Sequence, residues 1–392
     1  MKITQLNLRE VKIPLRFQFS QSNNAGALHS HSAILEVHTA EGIIGYGESC
    51  PRTYVTGEDI AAVQKGLQLV SPEIKGASIH SIEEVEDRLM QWEKKGIGPS
   101  VRCALELAFL DAWSKTQEKP LADILGSKPP EVISYSLILP LLRPASLEQL
   151  LPKIRHFSPP SVKLKVDAKL EETVNKIHLI RSFFGQELPI RVDVNGGWAL
   201  QQAEKIIPRL IEQGIASFEQ PLPAGQTEGL AVLTRSFGRE ARIMADESLL
   251  NLKQAKLLIE KGCVNHFNLK ISKLGGIFNS LEVYQLAREH GIPCQLGAHF
   301  GETSLLTAAG ILLCGMAGDM TAYEGAMGEL LLEKDIVAPA ITMGLDGKLD
   351  SRRALPEAGL GLIDEGVLEK YGQGPAINPN QILSSLKSNI RR

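Results

Sequence analysis

The sequence predicts an α/β protein in which an N-terminal α+β unit precedes an eight-stranded parallel barrel. At roughly 100 to 200 residues per domain, the 392 residues are enough for two domains. Apolar residues make up 43% of the chain and charged residues 22%, which is ordinary for a globular protein. After about residue 130, short apolar segments alternate regularly with amphipathic ones, and this alternation predicts parallel strands joined by helices.

The first unit is predicted over residues 1–128. Up to about residue 47 apolar and polar residues alternate as in strands, and the polar stretch QSNNAGALHS is expected to be a flexible loop between them. Three segments with helical periodicity follow: GEDIAAVQKGLQLVSPEI, SIEEVEDRLMQW and SVRCALELAFLDAWSKTQ. The second opens with Ser81 and an acid three residues later, which is typical of a helix start.

The barrel is predicted over residues 129–352. The candidate strands are 133–137, 161–166, 189–194, 215–219, 242–247, 266–270, 293–298 and 320–324. Parallel neighbours need a crossover connection, and eight strand–helix units can close into a barrel. A doubly wound open sheet is the alternative, but it normally has fewer strands and a glycine-rich first turn. The remaining segment, 353–392, is expected to pack back on the first unit.

Composition excludes several classes of partner. The 42 basic and 45 acidic residues give a net charge of −3, which argues against nucleic acid or an anionic membrane. No apolar run reaches about 18 residues, and the start of the chain lacks the apolar block of a signal peptide, so a cytoplasmic protein is expected. The five cysteines form no CxxC pair, which predicts neither a disulfide framework nor a thiolate zinc site.

Charged or polar side chains lie at the ends of five consecutive predicted strands, where a barrel forms its active site. They are Lys163, Lys165, Asp193, Asn195, Glu219, Asp246, Glu247 and Lys270. Alone, each has an ordinary explanation as a strand edge, a turn or a helix cap. Together they place three carboxylates, Asp193, Glu219 and Asp246, on adjacent strands. Such a set suits a hard divalent cation, and Mg²⁺ is expected because no thiolate or histidine cluster is present.

Two lysines flank these acids. Lys165 and Lys270 belong to strands that lie opposite each other in an eight-stranded ring, so they would face one another across a substrate. A cation on a substrate carboxylate favours loss of the adjacent C–H proton, and an uncharged lysine is the base this requires. Lys163, on the same face as Lys165, is expected to lower its neighbour's pKa from the usual value of about 10.4.

The motifs VKLKVD, RVDVNGGW, FEQPLP, MADES and NLKISKLGG, preceded by GYGESCPRTYVTGE, resemble those of the enolase superfamily, and within it the muconate lactonizing enzyme subgroup. The resemblance spans essentially the whole chain. It implies an α/β fold, a modified TIM barrel (β/α)7β with an N-terminal α+β capping domain. It also implies Asp193, Glu219 and Asp246 as ligands of Mg²⁺, with Mn²⁺ as a substitute, and Lys165, Lys270 and Lys163 as the catalytic lysines. Lysine bases acting with Mg²⁺ are a known pattern of this superfamily.

The resemblance further implies that substrate is recognised by capping-domain residues 17–31 and 50–58 and by the ends of strands seven and eight. The candidates for substrate contact or an accessory role are Asn195, Glu247, His299, Glu302, Glu324 and Tyr54. Phe17, Phe19 and Tyr54 are expected to wall an apolar substrate group. Dipeptide epimerases of the subgroup carry a DxD motif near the last strand that binds the substrate ammonium. This chain has GDMTAYEGAMG there, with Asp319 and Glu324 as its acids.

These features predict a racemase or epimerase of an amino-acid derivative or dipeptide. The alternatives are a muconate-type cycloisomerase, a syn-eliminating lyase similar to o-succinylbenzoate synthase, and a barrel that has lost turnover and serves as a binding protein. The presence of both lysines and all three carboxylates argues against the last of these. The expected partner is a small-molecule carboxylate, and a homo-oligomer is expected from the size of the barrel.

Overall fold

The computed structural model describes residues 1–21 and 24–377. The N-terminal part combines an antiparallel sheet with helices packed on it. Its strands are β1 (Ile3–Val11), β2 (Pro14–Gln21), β3 (Asn24–His29), β4 (Ser32–Thr39) and β5 (Ile44–Ser49). Its helices are α1 (Ile60–Ile74), α2 (Ile82–Lys94), α3 (Pro99–Gln117) and α4 (Leu121–Leu125).

Local sequence explains these elements. The Asp59 side chain accepts a hydrogen bond from the Ala62 N–H at the start of α1, and Ser81 caps α2 through the Glu84 N–H as its sequence predicts. Strand β5 lies directly on α3, where a Cβ at Gly47 would stand 2.0 Å from the Ala104 carbonyl oxygen. Glycine is therefore required at that contact.

The prediction of a flexible loop over QSNNAGALHS is wrong for most of its length. Residues 24–29 form β3, which pairs antiparallel with β2, while residues 22–23 lie outside the described part of the chain. A two-stranded ribbon is held by its backbone hydrogen bonds. The polar composition of QSNNAGALHS, which favoured a loop, is therefore compatible with a strand of such a ribbon.

The barrel part begins with the short strand β6 (Val132–Ser134). Seven parallel strands follow: β7 (Leu137–Leu139), β8 (Val162–Lys165), β9 (Ile190–Asp193), β10 (Ser217–Glu219), β11 (Arg242–Ala245), β12 (His266–Leu269) and β13 (Cys294–Leu296). They form one curled sheet in strict sequence order. The intervening helices are α5 (Pro144–Leu150), a 3-10 turn (Leu151–Ile154), α6 (Leu170–Phe184), α7 (Leu200–Glu212), α8 (Thr227–Phe237), α9 (Leu252–Glu260), α10 (Ile271–Leu274) and α11 (Ile277–Glu289). The α/β prediction is confirmed.

Two strand predictions need correction. The first barrel strand is β7 at residues 137–139, whereas residues 133–137 were expected, because Val132–Ser134 instead pairs antiparallel with a later strand. The eighth expected strand, 320–324, is reduced to isolated parallel bridges from Tyr323 to Tyr135 and Leu296. Tyr323 thus connects the two edges of the seven-stranded sheet without forming a strand of its own.

The chain continues with α12 (Ser304–Ala317), α13 (Gly328–Leu331), β14 (Lys348–Asp350), α14 (Ser351–Ala354), α15 (Glu365–Tyr371) and β15 (Gly372–Ile377). Strand β14 pairs with β6, and β15 pairs antiparallel with β1 of the N-terminal sheet. The predicted limits at residues 128 and 352 remain predictions, and residues 378–392 of the last segment lie outside the described part. Within that part, no helix is both long and apolar enough to cross a bilayer.

Helix α3 of the N-terminal part contacts the barrel loop that follows β12. The Glu106 side chain accepts hydrogen bonds from the N–H groups of Ile277 and Phe278 at the start of α11. A carboxylate at a helix N-terminus satisfies free N–H groups and interacts favourably with the helix dipole. Gly276 precedes this helix at φ 128°, and a Cβ there would stand 2.2 Å from the Glu106 carboxyl oxygen.

We therefore expect Gly276→Ala to lower the free energy of unfolding by at least about 2 kcal/mol, because a strained backbone and a steric overlap add together. Gly291→Ala is the matched control, since Gly291 also has a positive φ of 67° but no atom of the described part of the chain lies within 4 Å of its Cβ position. Urea unfolding of both variants measures the difference. Equal losses of stability would show that the Glu106 contact is unimportant.

Candidate active site

The polar residues predicted at the strand ends converge at the carboxyl end of the sheet. Strands β8, β9 and β10 are in register there, so that Lys165 lies opposite Asp193 and Asp193 opposite Glu219. Paired residues of parallel strands share a face, and these three side chains are buried. Asp246 and Lys270 directly follow β11 and β12 and are also buried.

Lys163 and Lys165 share Asp193 as a partner, and their other contacts differ. The Lys165 Nζ donates to Asp193 Oδ2 at 2.9 Å and to Asn195 Oδ1 at 2.8 Å. The Lys163 Nζ lies 2.8 Å from Glu219 Oε1, 2.9 Å from Glu324 Oε2 and 3.2 Å from Asp193 Oδ2. Lys163 is thus an ammonium surrounded by three carboxylates.

Lys270 lies on the other side of the carboxylates. Its Nζ donates to Asp246 Oδ2 at 2.6 Å. The second oxygen of Asp246 accepts at 2.7 Å from Lys273, a fully buried lysine that the sequence analysis missed. The Lys273 ammonium also donates to the carbonyl oxygens of Asp246 and Asn268 at 2.8 and 3.0 Å. Its position three residues after Lys270, on the same side of a helical turn, is the sequence signal that could have identified it.

Gln220 positions Asp246 from the preceding strand end. Its side-chain oxygen accepts hydrogen bonds of 3.0 Å from the N–H groups of both Asp246 and Ser248. Its side-chain nitrogen donates to the Leu222 carbonyl and the Ser248 hydroxyl. The backbone of Gln220 has a φ of 39°, which costs energy in a residue other than glycine. This fully satisfied amide compensates for that strain and fixes the loop after β11.

The ionisation of the buried acids reflects their crowding. Burial opposes ionisation of Asp193, but the ammonium groups of Lys163 and Lys165 outweigh it and lower its pKa to about 2. Burial, reinforced by the charge of Asp193, raises the pKa of Glu219 to about 8. Burial and the charge of Asp246 raise the pKa of Glu247 to about 7. The neighbouring acids of the site therefore differ widely in how readily they ionise.

The oxygen chemistry of this donor set suits a hard divalent cation. Asp193, Glu219 and Asp246 supply carboxylate oxygens from three adjacent strand ends, which is the ligand chemistry of Mg²⁺. Glu247 Oε2 is a buried oxygen with no hydrogen-bond partner among the residues that the structure describes. Within residues 1–21 and 24–377, no three His, Cys, Asp or Glu side chains have a metal-holding arrangement. The lysine ammonium groups contact the carboxylate oxygens directly.

A cavity of about 80 Å³ opens above these groups. Nine of the twelve predicted site residues line it: Tyr54, Lys163, Lys165, Asn195, Glu247, Lys270, His299, Glu302 and Glu324. The other three, Asp193, Glu219 and Asp246, do not line the cavity, but they contact Lys163 and Lys270, which do. The cavity also has an apolar wall that includes Phe17, Ile138, Phe300, Met327 and Leu331. The predicted wall thus contains Phe17 and Tyr54, and the side chain of Phe19 lies outside the described part.

His299 and Glu302 form one side of the cavity. The His299 N–H donates to the Glu302 carboxyl group at 2.5 Å, and the His299 Nε2 is buried without a partner in the described residues. Burial and the nearby charges of Lys270 and Arg52 hold the pKa of His299 well below its usual value. Its imidazole is therefore neutral.

Glu324 is held deep in the barrel. Its Oε2 accepts from Lys163, while its Oε1 accepts from Arg191 at 3.0 Å and from Gln295 at 3.2 Å. Asp319, the other acid of this segment, lines a separate cavity beside α11 and α12. The described residues therefore place no unpaired carboxylate from this segment at the mouth of the site.

Burial raises the pKa of Glu302 to about 8, against an ordinary value of 4.5. Between these two pH values the folded protein holds a proton that the unfolded chain releases, so stability falls as the pH rises. We expect the free energy of unfolding to drop between about pH 6 and about pH 9 by more in the wild type than in Glu302→Gln. Urea unfolding at both pH values tests this, and parallel curves would contradict it.

Two family models match the chain. The model of the mandelate racemase/muconate lactonizing enzyme N-terminal domain matches residues 5–126, and the enolase C-terminal domain-like model matches residues 157–362. A hydrophobic dipeptide epimerase of Enterococcus faecalis is 32% identical over 79% of this chain and 86% of the relative. An N-succinyl-L-Arg/Lys racemase of Bacillus cereus is 28% identical over 86% of this chain and 90% of the relative.

A solved structure has the same fold. The crystal structure of the dipeptide epimerase from Enterococcus faecalis, complexed with Mg and the dipeptide L-Leu-L-Tyr, superposes with a TM-score of 0.83 at 28% identity. The match covers 93% of this chain and 100% of that chain. The resemblance inferred from the sequence motifs is confirmed by these comparisons.

Proposed function

Because the chain belongs to the mandelate racemase/muconate lactonizing enzyme family of the enolase superfamily and is an isomerase, we propose that it is a Mg²⁺-dependent racemase or epimerase. Its substrate is an amino-acid derivative or dipeptide that loses the proton next to a carboxylate. The observation that carries this proposal is the presence of Lys165 and Lys270 on the wall of one cavity, on strands separated by three others.

Each lysine acts on one face of the substrate. The uncharged amine of one lysine, Lys165 or Lys270, removes the proton from the α carbon, and the ammonium group of the other lysine returns a proton to the opposite face. Asp193 and Asn195 hold Lys165, and Asp246 holds Lys270, so that both amines point at the same volume. Lys163 contacts the carboxyl groups of Asp193, Glu219 and Glu324, and its ammonium group offsets their negative charge.

Asp193, Glu219 and Asp246 are the residues that would hold Mg²⁺, and Mn²⁺ would serve in its place. When bound, the cation supplies positive charge beside the substrate carboxylate and so favours the enediolate formed on proton loss. Asn195 and Glu247 share a hydrogen bond of 3.2 Å at the cavity wall, where we expect them to contact the substrate.

The cavity favours a substrate with an apolar group and without a free ammonium. The apolar wall suits a hydrophobic side chain. The relatives' names include both a hydrophobic dipeptide epimerase and an N-succinylated amino acid racemase. Glu324 is saturated by Lys163, Arg191 and Gln295, so it supplies no free carboxylate for an ammonium group. This supports N-acylated amino acids over free dipeptides.

A substrate panel tests the proposal. N-acyl and N-succinyl amino acids, hydrophobic dipeptides and muconate-type diacids are incubated with the enzyme and Mg²⁺, and optical rotation and NMR spectra are followed. We expect loss of rotation without a new compound, fastest for N-acyl amino acids with apolar side chains. A new lactone or alkene without racemisation would instead assign a cycloisomerase or a lyase.

A further inference from the structure

Two neighbouring segments of the barrel line the catalytic cavity and lead into helices that contact the N-terminal part. The segment after β12 carries Lys270 and leads into α11, and the segment after β13 carries residues 298–302 and leads into α12. Each helix begins against a buried carboxyl group of the N-terminal part, Glu106 at α11 and Glu48 at α12. The N-terminal part is therefore attached to the barrel directly behind two walls of the active site.

Glu48 contacts the start of α12 from strand β5. Its carboxyl group accepts hydrogen bonds from the Thr303 hydroxyl at 2.7 Å and from the N–H groups of Thr303 and Leu306 at 3.0 and 3.3 Å. The Ser32 hydroxyl of β4 donates to the same carboxyl group at 2.7 Å. Glu48 is completely buried, so the loss of these bonds would leave polar groups unsatisfied. The carboxyl group thus fixes the residue after Glu302 to the N-terminal sheet.

Glu106 contacts the start of α11 from helix α3. Its carboxyl group accepts hydrogen bonds from the first N–H groups of α11. Two glycines before this helix allow a close approach. A Cβ at Gly275 would stand 3.0 Å from the Arg102 guanidinium group, and a Cβ at Gly276 would overlap the carboxyl group. Side chains of α3 therefore pack directly on the backbone that connects Lys270 to α11.

Each segment has a second contact with the N-terminal part. The Cys50 N–H donates to the Ser272 hydroxyl at 2.8 Å, two residues after Lys270. The Arg52 guanidinium group donates to the Phe300 carbonyl oxygen at 2.8 Å. Ser272 and Arg52 are both buried. Two separate contacts restrict the rotation of a segment as well as its displacement.

The two catalytic lysines are held in different ways. Lys165 belongs to β8, which has a strand on either side, and its Nζ is bound by Asp193 and Asn195 of the barrel. Lys270 follows the last residue of β12 and begins the short helix α10, which contacts α3. A displacement of this segment from α3 is therefore expected to move Lys270 and to leave Lys165 in place.

We propose that Glu106 and Glu48 are positioning residues for the reaction. Glu106 holds Lys270 in reach of the substrate α carbon, and Glu48 holds residues 298–302 against the substrate. Neither is among the described residues that line the cavity, so both act through the segments they hold. An error of about 1 Å in the position of a reacting group can lower a rate about 10²-fold. The inference rests on the two-lysine reaction proposed for this cavity.

Glu106→Met tests the first assignment, because methionine keeps the length of the side chain and removes both acceptor oxygens. The change is introduced into Lys165→Ala and into Lys270→Ala, so that one lysine alone exchanges the α proton in D₂O. Compared with each parent variant, we expect exchange through Lys270 to fall about tenfold or more and exchange through Lys165 to change less than about twofold. A loss of folded protein would lower both rates by the same factor.

Two further variants separate positioning from stability. Glu106→Gln keeps an oxygen that accepts the N–H groups of α11, so exchange through Lys270 should stay close to that of the parent. Ser272→Ala removes the acceptor of the Cys50 N–H and should lower exchange through Lys270 about threefold or more. Thermal unfolding shows whether each variant is folded. If Glu106→Met does not fold, the result for Ser272→Ala decides the first assignment.

Glu48→Met, made in the wild-type chain, tests the second assignment, because it removes the corresponding contact at α12. We expect it to raise KM for the best substrate about fivefold or more, since residues 298–302 line the cavity. Made in each lysine variant, it should leave the ratio of the two exchange rates within about twofold of that of the parents, because α12 follows the segment without a catalytic lysine. An unchanged KM would overturn this assignment.

The lysine variants distinguish the failure of this inference from failure of the proposed function. If Lys165→Ala and Lys270→Ala exchange opposite epimers, but Glu106→Met lowers both exchange rates equally or lowers neither, Glu106 is not a positioning residue. If the two lysine variants do not differ in the epimer they exchange, the two-lysine reaction itself is wrong, and the inference fails with it.

Discussion

Lys165→Ala and Lys270→Ala are each expected to lower kcat for racemisation by about 10³-fold or more, because each removes the base or acid on one face of the substrate. The two variants should differ from each other in isotope exchange. In D₂O, the lysine that remains still removes the α proton from one epimer, so each variant should exchange the proton of one epimer only and without inversion. NMR of each pure epimer measures this.

Lys176→Met is the control for these variants. Lys176 is a buried lysine of α6 that is not among the residues lining the catalytic cavity. Methionine preserves its volume, so racemisation should persist at close to the wild-type rate. If Lys165→Ala or Lys270→Ala retained wild-type racemisation, that lysine would not be an acid or base in the reaction.

Glu219→Gln is expected to weaken Mg²⁺ binding by at least about tenfold and to lower kcat by at least about 10²-fold, since a carboxylate ligand becomes a neutral amide. Glu219 also accepts hydrogen bonds from Lys163 and Asn268, each at 2.8 Å. Glutamine keeps the shape of the side chain, so the fold should persist. Calorimetry with MgCl₂ and circular dichroism measure the two effects.

Glu302→Gln is the matched control for the metal experiment. Burial raises the pKa of Glu302 to about 8, as burial and Asp193 do for Glu219, and the residue lines the same cavity. It contacts the His299 N–H and none of the three proposed ligands. Its substitution should leave Mg²⁺ affinity unchanged. Equal affinities for the wild type and Glu219→Gln would remove Glu219 from the ligand set.

Most of the barrel was predictable because each strand is a short apolar run that ends in a polar residue. The segments at 190–193, 217–219 and 242–245 lie within the ranges that the sequence predicts. The loss of the eighth strand was not predictable, because MTAYE has a strand-like composition but contributes only the bridges of Tyr323. Whether residues 320–324 pair as a strand depends on the distance and angle between the two edges of the sheet. The local sequence carries no information about this geometry.

The candidate site was predictable where its residues follow strands. The spacing i, i+2 places Lys163 and Lys165 on one face, and the strand order then brings Asp193 and Glu219 beside them. Contacts from distant parts of the chain were not predictable. Arg191 reaches Glu324 across 133 positions, and Lys273 approaches Asp246 across 27. These pairings depend on the closed barrel and on a helical turn after β12.

The most direct test of the central claim, a reaction with two opposed lysine bases, is deuterium incorporation during the first turnovers of the wild-type enzyme in D₂O. A single epimer of the best substrate is incubated with enzyme and Mg²⁺, and the α position of both epimers is followed by NMR and mass spectrometry. Two bases predict that the product epimer carries deuterium from its first appearance, because its proton comes from the second lysine. Product that retains the original proton would contradict the account.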